Sequence, residues 1–110
     1  MATIFTKIIK GEIPSYKIAE DAEFYAFLDI NPLVKGHTLV VPKQETDDVF
    51  DLEEDMLARM IVFSQKIAHA IKKAFPCEKV AMMVLGLEVR HAHIHLGPIN
   101  KESDMNFANP

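Results

Sequence analysis

From Asp51 to Phe75 the chain repeats apolar side chains at the period of one helical face: Leu57, Met60, Ile61, Ile67, Ala68, Ile71, Ala74 and Phe75, with Ser64 completing the stripe. The spacing predicts one long helix, with Asp51 as N-cap and Glu54 at the capping-box position. Glu53, Glu54 and Asp55 open it and Lys72 and Lys73 close it, as the helix dipole prefers, before Pro76 ends it. Such a helix buries a single stripe and needs a complementary layer. The rest of the chain supplies strands. Residues 16–19 and 24–28 flank the acidic turn Glu20-Asp21-Ala22-Glu23, and 37–41 form a β-branched run that stops before Pro42. Residues 79–85 and 92–96 read as a hairpin through Gly86-Leu87-Glu88. Residues 3–9 suggest a short helix stopped by Gly11, with Pro14 just beyond. The expected class is α+β: a five-stranded antiparallel sheet with one long helix and one short N-terminal helix, in a single domain over residues 1–110. Met82, Val84 and the Phe63 side of the helix leave apolar surface to spare, which suggests a homodimer.

Within this frame, three of the five histidines alternate in Val89-Arg90-His91-Ala92-His93-Ile94-His95-Leu96. On a strand, His91, His93 and His95 would share one face while Ala92, Ile94 and Leu96 pack into the core. Three readings are open. The row is a polar face whose imidazoles are satisfied locally. Alternatively, a neighbouring pair shares a metal with His37 or a carboxylate as third ligand. All three cannot close on one ion, because His91 and His95 would stand roughly 13 Å apart at strand rise. Finally, a neutral imidazole attacks phosphorus, and its neighbours orient it and supply donors. His37, at the start of another strand, can join the cluster in any of these.

Composition narrows the partners. Twelve basic against sixteen acidic residues give a net charge of −4, which argues against duplex nucleic acid. The single cysteine, Cys77, forms no internal disulfide, which fits a cytoplasmic setting. No stretch reaches the ~20 apolar residues needed to span a bilayer, and Lys7 and Lys10 interrupt the N-terminal run, so no membrane role is expected.

The segment His91-Ala92-His93-Ile94-His95-Leu96 resembles the signature of the histidine-triad (HIT) family, His-φ-His-φ-His-φ-φ with φ apolar, up to its last position, which is Gly97. Ile4-Phe5-x-Lys7-Ile8-Ile9-x-Gly11-Glu12-Ile13-Pro14, Ala26-Phe27-Leu28-Asp29-Ile30-Asn31-Pro32 and Gly36-His37-Thr38-Leu39-Val40-Val41-Pro42-Lys43 extend the resemblance over residues 3–99 in the family's order. It is nearest to the histidine-triad nucleotide-binding branch. The resemblance implies a purine nucleotide of the AMP or GMP type, with no cofactor and no metal. By that analogy Phe5, Ile8, Leu28 and Ile30 hold the base and Asp29 accepts from the ribose hydroxyls. His93 is the nucleophile that forms a nucleotidyl-histidine intermediate, which water hydrolyses. His95 binds the phosphate oxygens, and His91 and His37 support the cluster. Without the analogy each of the four apolar residues reads first as core, and Asp29 can be read as a turn carboxylate.

The implied activity is hydrolysis of purine nucleoside 5′-phosphoramidates or related nucleotidyl conjugates, since the transferase branch carries glutamine where His95 stands. A nucleotide-binding scaffold and a dinucleoside polyphosphate hydrolase are the alternatives. Two departures bear on the choice. Residues 82–90 lack the Asn and the Gly-Gln-Ser donors that many members carry before the triad, which points to a slow enzyme or an altered leaving-group preference. Arg90 stands there either as a phosphate ligand or as a solvated charge. Thr6 stands where some bacterial members have the first cysteine of a zinc pair, which removes that structural zinc. The tail 100–110 reads as polar, irregular and loosely held.

Overall fold

The computed structural model describes residues 3–108. Its elements are α1 (Ile4–Ile9), β1 (Lys17–Glu20), β2 (Phe24–Leu28), β3 (Thr38–Pro42), α2 (Glu54–Ala74), β4 (Lys79–Met83) and β5 (Ile94–Ile99), with short 3₁₀ turns at Val49–Asp51 and Glu102–Met105. The strands form one sheet of order β1-β2-β3-β5-β4, antiparallel at every junction. The α+β class with five antiparallel strands, one long helix and one short one is therefore as expected.

Alternation along the strands sorts the side chains into two layers. Phe24 and Ala26 of β2, Val40 of β3, and Ile94 and Leu96 of β5 pack with Met56, Met60, Ile67 and Ile71 of α2. Tyr25, Phe27, Leu39 and Val41 point the other way and meet Phe5 and Ile8 of α1. At ~1.5–3 kcal/mol for each fully buried large apolar side chain, the α2 layer holds most of the fold's hydrophobic stabilisation. His93 and His95 fall opposite Ile94 and Leu96, so they face the side of the sheet on which α1 packs.

The structure corrects four local expectations. Asp51 does not cap α2: the Asp48 carboxylate accepts from Phe50 N–H at 2.9 Å and starts a 3₁₀ turn that contains Asp51. Leu52 then runs extended into the core, and Glu53 takes the N-cap position without a side-chain bond. Pro42 lies within β3, paired with Phe24, since an end position asks no N–H of it. Between β4 and β5 runs a loop spanning residues 84–93, in place of a tight hairpin. β5 starts at Ile94 because the groups before it bond elsewhere. Ala92 N–H donates to Thr46 C=O at 2.6 Å, and the Pro42 carbonyl is taken by the His91 ring at 2.7 Å.

The fourth correction concerns the tail. Asp104 accepts from the N–H groups of Asn100 and Lys101 at 2.8 and 3.2 Å, which folds the chain back onto β5. Met105 is then buried against Gly97, where a Cβ would stand 2.6 Å from its sulfur. The glycine that breaks the triad signature thus makes room for Met105. Residues 109 and 110 of the expected tail lie outside the described residues.

Candidate active site

All four cluster histidines are buried: His91 and His37 almost wholly, His93 and His95 to within 6 and 7% of exposure. Two elements and one irregular segment bring them together. His95 lies on β5, His37 immediately precedes β3, and His91 and His93 occupy the stretch before Ile94. The rings of His93 and His95 meet edge to face at 4.8 Å, and those of His37 and His95 lie tilted to each other at 5.2 Å.

Hydrogen-bond partners fix where each ring carries its proton. A carbonyl oxygen only accepts, so the contact of 2.7 Å between His93 Nδ1 and the His91 carbonyl requires Nδ1–H. In the neutral ring the lone pair of His93 is then on Nε2. At His37 the logic runs the other way. Leu33 N–H donates to Nδ1 at 3.2 Å, so Nδ1 carries the lone pair and the proton sits on Nε2. That Nε2–H donates to His95 Nδ1 at 3.0 Å, which leaves the remaining proton of His95 on Nε2. His93 therefore offers a lone pair and His95 offers a donor, side by side. Among the described residues no buried side-chain nitrogen or oxygen lacks a partner, so both unpaired Nε2 atoms reach the surface.

The electrostatics agree with neutral rings. Burial pushes the His93 pKa below its ordinary value, against the partial offset of the His91 carbonyl bond. Burial, then the nearby His93 and His37 rings, pushes His95 down to about 3. His37 is lowered by burial, with the Asp29 carboxylate opposing. Neutral imidazoles near pH 7 keep the lone pair of one and the N–H donor of the other available.

Asp29, His37 and His95 place a carboxylate oxygen and two ring nitrogens within 4.8 Å of one another, a spacing a metal ion would accept. The tautomer of His37 disfavours that use. Its Nε2 carries the proton and faces Asp29 at 3.7 Å, while Leu33 N–H occupies the other nitrogen. The arrangement is a hydrogen bond from His37 to His95, with the Asp29 carboxylate near His37 but beyond hydrogen-bond range.

The remaining candidates are placed as follows. Phe5 lies edge-on to His93 at 5.0 Å and to His91 at 5.7 Å, with Ile8 in the same apolar cluster. Leu28 ends β2 half-buried, and Asp29 accepts from Asn31 N–H at 2.9 Å, so the turn role read from its sequence is real. Ile30 is exposed just beyond β2. Arg90 is exposed and lines a narrow cleft of about 90 Å³ beside His93, together with Asp47, Asp48, Leu85 and Leu87. Sequence reasoning missed Phe107, which lies edge-on to His95 at 4.7 Å and to His37 at 5.9 Å. It also missed Thr3 and Glu45, which reach the cluster through hydrogen bonds.

A family model described as the HIT domain matches residues 10–102. An uncharacterized HIT-like protein from Borreliella burgdorferi is 37% identical over 111 residues, spanning 94% of this chain and 80% of the relative. The adenosine 5′-monophosphoramidase of Saccharomyces cerevisiae is 37% identical over 102 residues, 92% of this chain and 65% of the relative. Among solved structures, a HIT family protein from Bacillus anthracis superposes with a TM-score of 0.86 at 39% identity, over 93% of this chain and 76% of its own. A zinc-bound histidine triad family protein from Mycobacterium smegmatis does so with a TM-score of 0.86 at 31% identity, over 97% and 81%.

Proposed function

The chain belongs to the HIT family, and from that premise we propose that it is a nucleotidyl hydrolase acting on purine nucleoside 5′-phosphoramidates or related conjugates. The observation that carries the reading is the pair of tautomers: His93 with its lone pair on Nε2 and His95 with its proton on Nε2. His93 Nε2 attacks the α-phosphorus, a phosphorus–nitrogen bond forms to the ring, and the bond to the leaving amine breaks. Positive charge developing on the His93 ring is stabilised by Nδ1–H against the His91 carbonyl. His95 Nε2–H donates to a phosphate oxygen, and the departing amine takes up a proton from solvent water. Water then attacks phosphorus and releases a proton to solvent, the bond to His93 breaks, and the electron pair returns to Nε2.

Phe5, Ile8, Leu28 and Ile30 hold the base in this reading, and Asp29 accepts from the ribose. Arg90 stands beside His93 as a phosphate ligand. The relative from yeast named as an adenosine 5′-monophosphoramidase supports the substrate class. The setting we infer is cytoplasmic, without duplex nucleic acid or membrane as partner. Among the described residues no helix is long and apolar enough to cross a membrane. A homodimer through the outer edge of β4 is supported by its terminal position in the sheet and by exposed Met82, Val84 and Leu85.

One observation favours a nucleotide-binding scaffold instead: the 84–90 loop offers exposed Leu85 and Leu87 where amide and hydroxyl donors would assist the leaving group. Turnover of adenosine 5′-phosphoramidate beside calorimetry with AMP separates the two. The hydrolase reading expects turnover by the native chain and none by His93→Ala. Tight AMP binding with turnover no greater than that of His93→Ala would establish the scaffold.

A further inference from the structure

His93 is aimed by a main-chain acceptor. Its Nδ1–H is held by the main-chain carbonyl of His91, within a segment that belongs to no strand. A carbonyl there aims the ring only as well as the segment itself is held. The His91 side chain does part of that holding. Its Nε2 meets the Pro42 carbonyl at 2.7 Å and must donate, which leaves Nδ1 to accept from the Thr3 hydroxyl at 2.7 Å. Residues 3 and 91 are thereby joined across nearly the whole chain.

The Thr3 hydroxyl is itself constrained. It caps α1 by accepting from Thr6 N–H at 3.1 Å. The Thr6 hydroxyl lies 3.3 Å away, outside ordinary O–H···O range, so the Thr3 proton goes to the nearer His91 nitrogen. The Thr6 hydroxyl donates to Glu45 Oε1, and the same oxygen accepts from Thr3 N–H at 3.1 Å. Those bonds, the Thr6 hydroxyl first, hold the Glu45 carboxyl below its usual pKa. Glu45 also sits next to Thr46, whose carbonyl accepts from Ala92 N–H at 2.6 Å. One loop therefore grips both the start of α1 and the residue between His91 and His93.

We infer that Thr3, Thr6 and Glu45 form a positioning relay that locks the His91 ring and, through the His91 carbonyl, aims His93. None of the three touches the nucleotide in the proposed mechanism, so their effect falls on the orientation of the nucleophile and spares nucleotide affinity. A displacement of ~1 Å at a reacting group costs roughly a hundredfold in rate. Groups that orient a histidine from behind are worth roughly ten- to a hundredfold.

This inference rests on the hydrolase reading for its kinetic arm alone. The test compares Thr3→Val and Glu45→Ala with the conservative Thr3→Ser and Glu45→Gln in the full chain. Glu45→Ala alters an exposed side chain and serves if Thr3→Val, which also loses the helix cap, fails to fold. With adenosine 5′-phosphoramidate, the two disruptive variants should lose roughly ten- to a hundredfold in kcat, with KM within about threefold. The conservative variants should recover most of it. An unchanged kcat, a loss confined to KM, or no recovery by Ser and Gln would overturn the relay. Imidazole ¹⁵N shifts of the free protein provide an arm independent of turnover. They should show His91 protonated at Nε2 with a hydrogen-bonded lone pair at Nδ1, and loss of that bond in the disruptive variants. A protonated Nδ1, or a spectrum indifferent to Thr3 and Glu45, overturns the relay even if the chain proves to be no hydrolase; absent turnover with the expected shifts overturns the hydrolase reading alone.

Discussion

Replacing His95 by asparagine should flatten the acid limb of the stability curve by about one proton. In the folded chain His95 has its pKa pushed down to about 3, mainly by burial, from an ordinary value of 6.5. Above pH 6.5 the ring is neutral in both states and costs nothing. As pH falls from 6.5 towards 3 the unfolded chain takes up a proton that the folded chain refuses, so stability is lost across that window. Linkage gives a loss of about 2 kcal/mol near pH 5 and about 3 kcal/mol near pH 4 from this residue, against pH 7. His37 and His93 are also lowered by burial and add losses of the same sign. Asparagine isolates the His95 share, because its amide oxygen can accept from His37 Nε2–H as Nδ1 does, and it does not titrate. Urea denaturation between pH 7 and pH 4 would give ΔG of unfolding for both proteins. The variant should show a slope shallower by about 1.4 kcal/mol per pH unit around pH 5. Parallel slopes, whatever the offset between the curves, would refute a buried neutral His95.

Two further outcomes follow from the folded tail. Phe107→Ala should admit water to His95 and raise its pKa from about 3 towards 6.5, measured by following its ring protons by NMR; an unmoved pKa would mean that Phe107 does not shield the ring. Gly97→Ala should cost about 1–3 kcal/mol in urea denaturation, since the new methyl would lie 2.6 Å from the Met105 sulfur. Combined with Met105→Ala the penalty should be smaller than the sum of the two, and strict additivity would contradict the contact.

What the sequence disclosed, and what it hid, divides along the range of the interactions. β2 was legible to the residue because both faces of Phe24–Leu28 are apolar, with turn residues on each side. The body of α2 was legible because Met60, Ser64, Ile67 and Ile71 of the expected stripe are buried and repeat at three and four, although Ile61 and Ala74 of that stripe are exposed and the buried Met56 was not read into it. Its start was not, since Asp48 and Asp51 offer the same capping chemistry and only the path of Leu52 into the core decides between them. The histidine row drew attention by its alternation, yet the regular strand begins only at Ile94. Side-chain bonds from His91 to Pro42 and Thr3 replace the ladder, and no local period reveals a partner so distant in sequence. The same holds for Met105 beneath Gly97 and for Phe107 on His95: the polar residues around them conceal an anchored turn.

The central claim is that His93 attacks phosphorus, and the most direct measurement is capture of the covalent intermediate. The chain would be mixed with a radiolabelled purine nucleoside 5′-phosphoramidate, quenched in alkali within the first turnover, digested and mapped by mass spectrometry. A single nucleotidyl group on His93, absent from His93→Ala, is the predicted result. Turnover with no adduct at His93, or turnover at the native rate by His93→Ala, would contradict it.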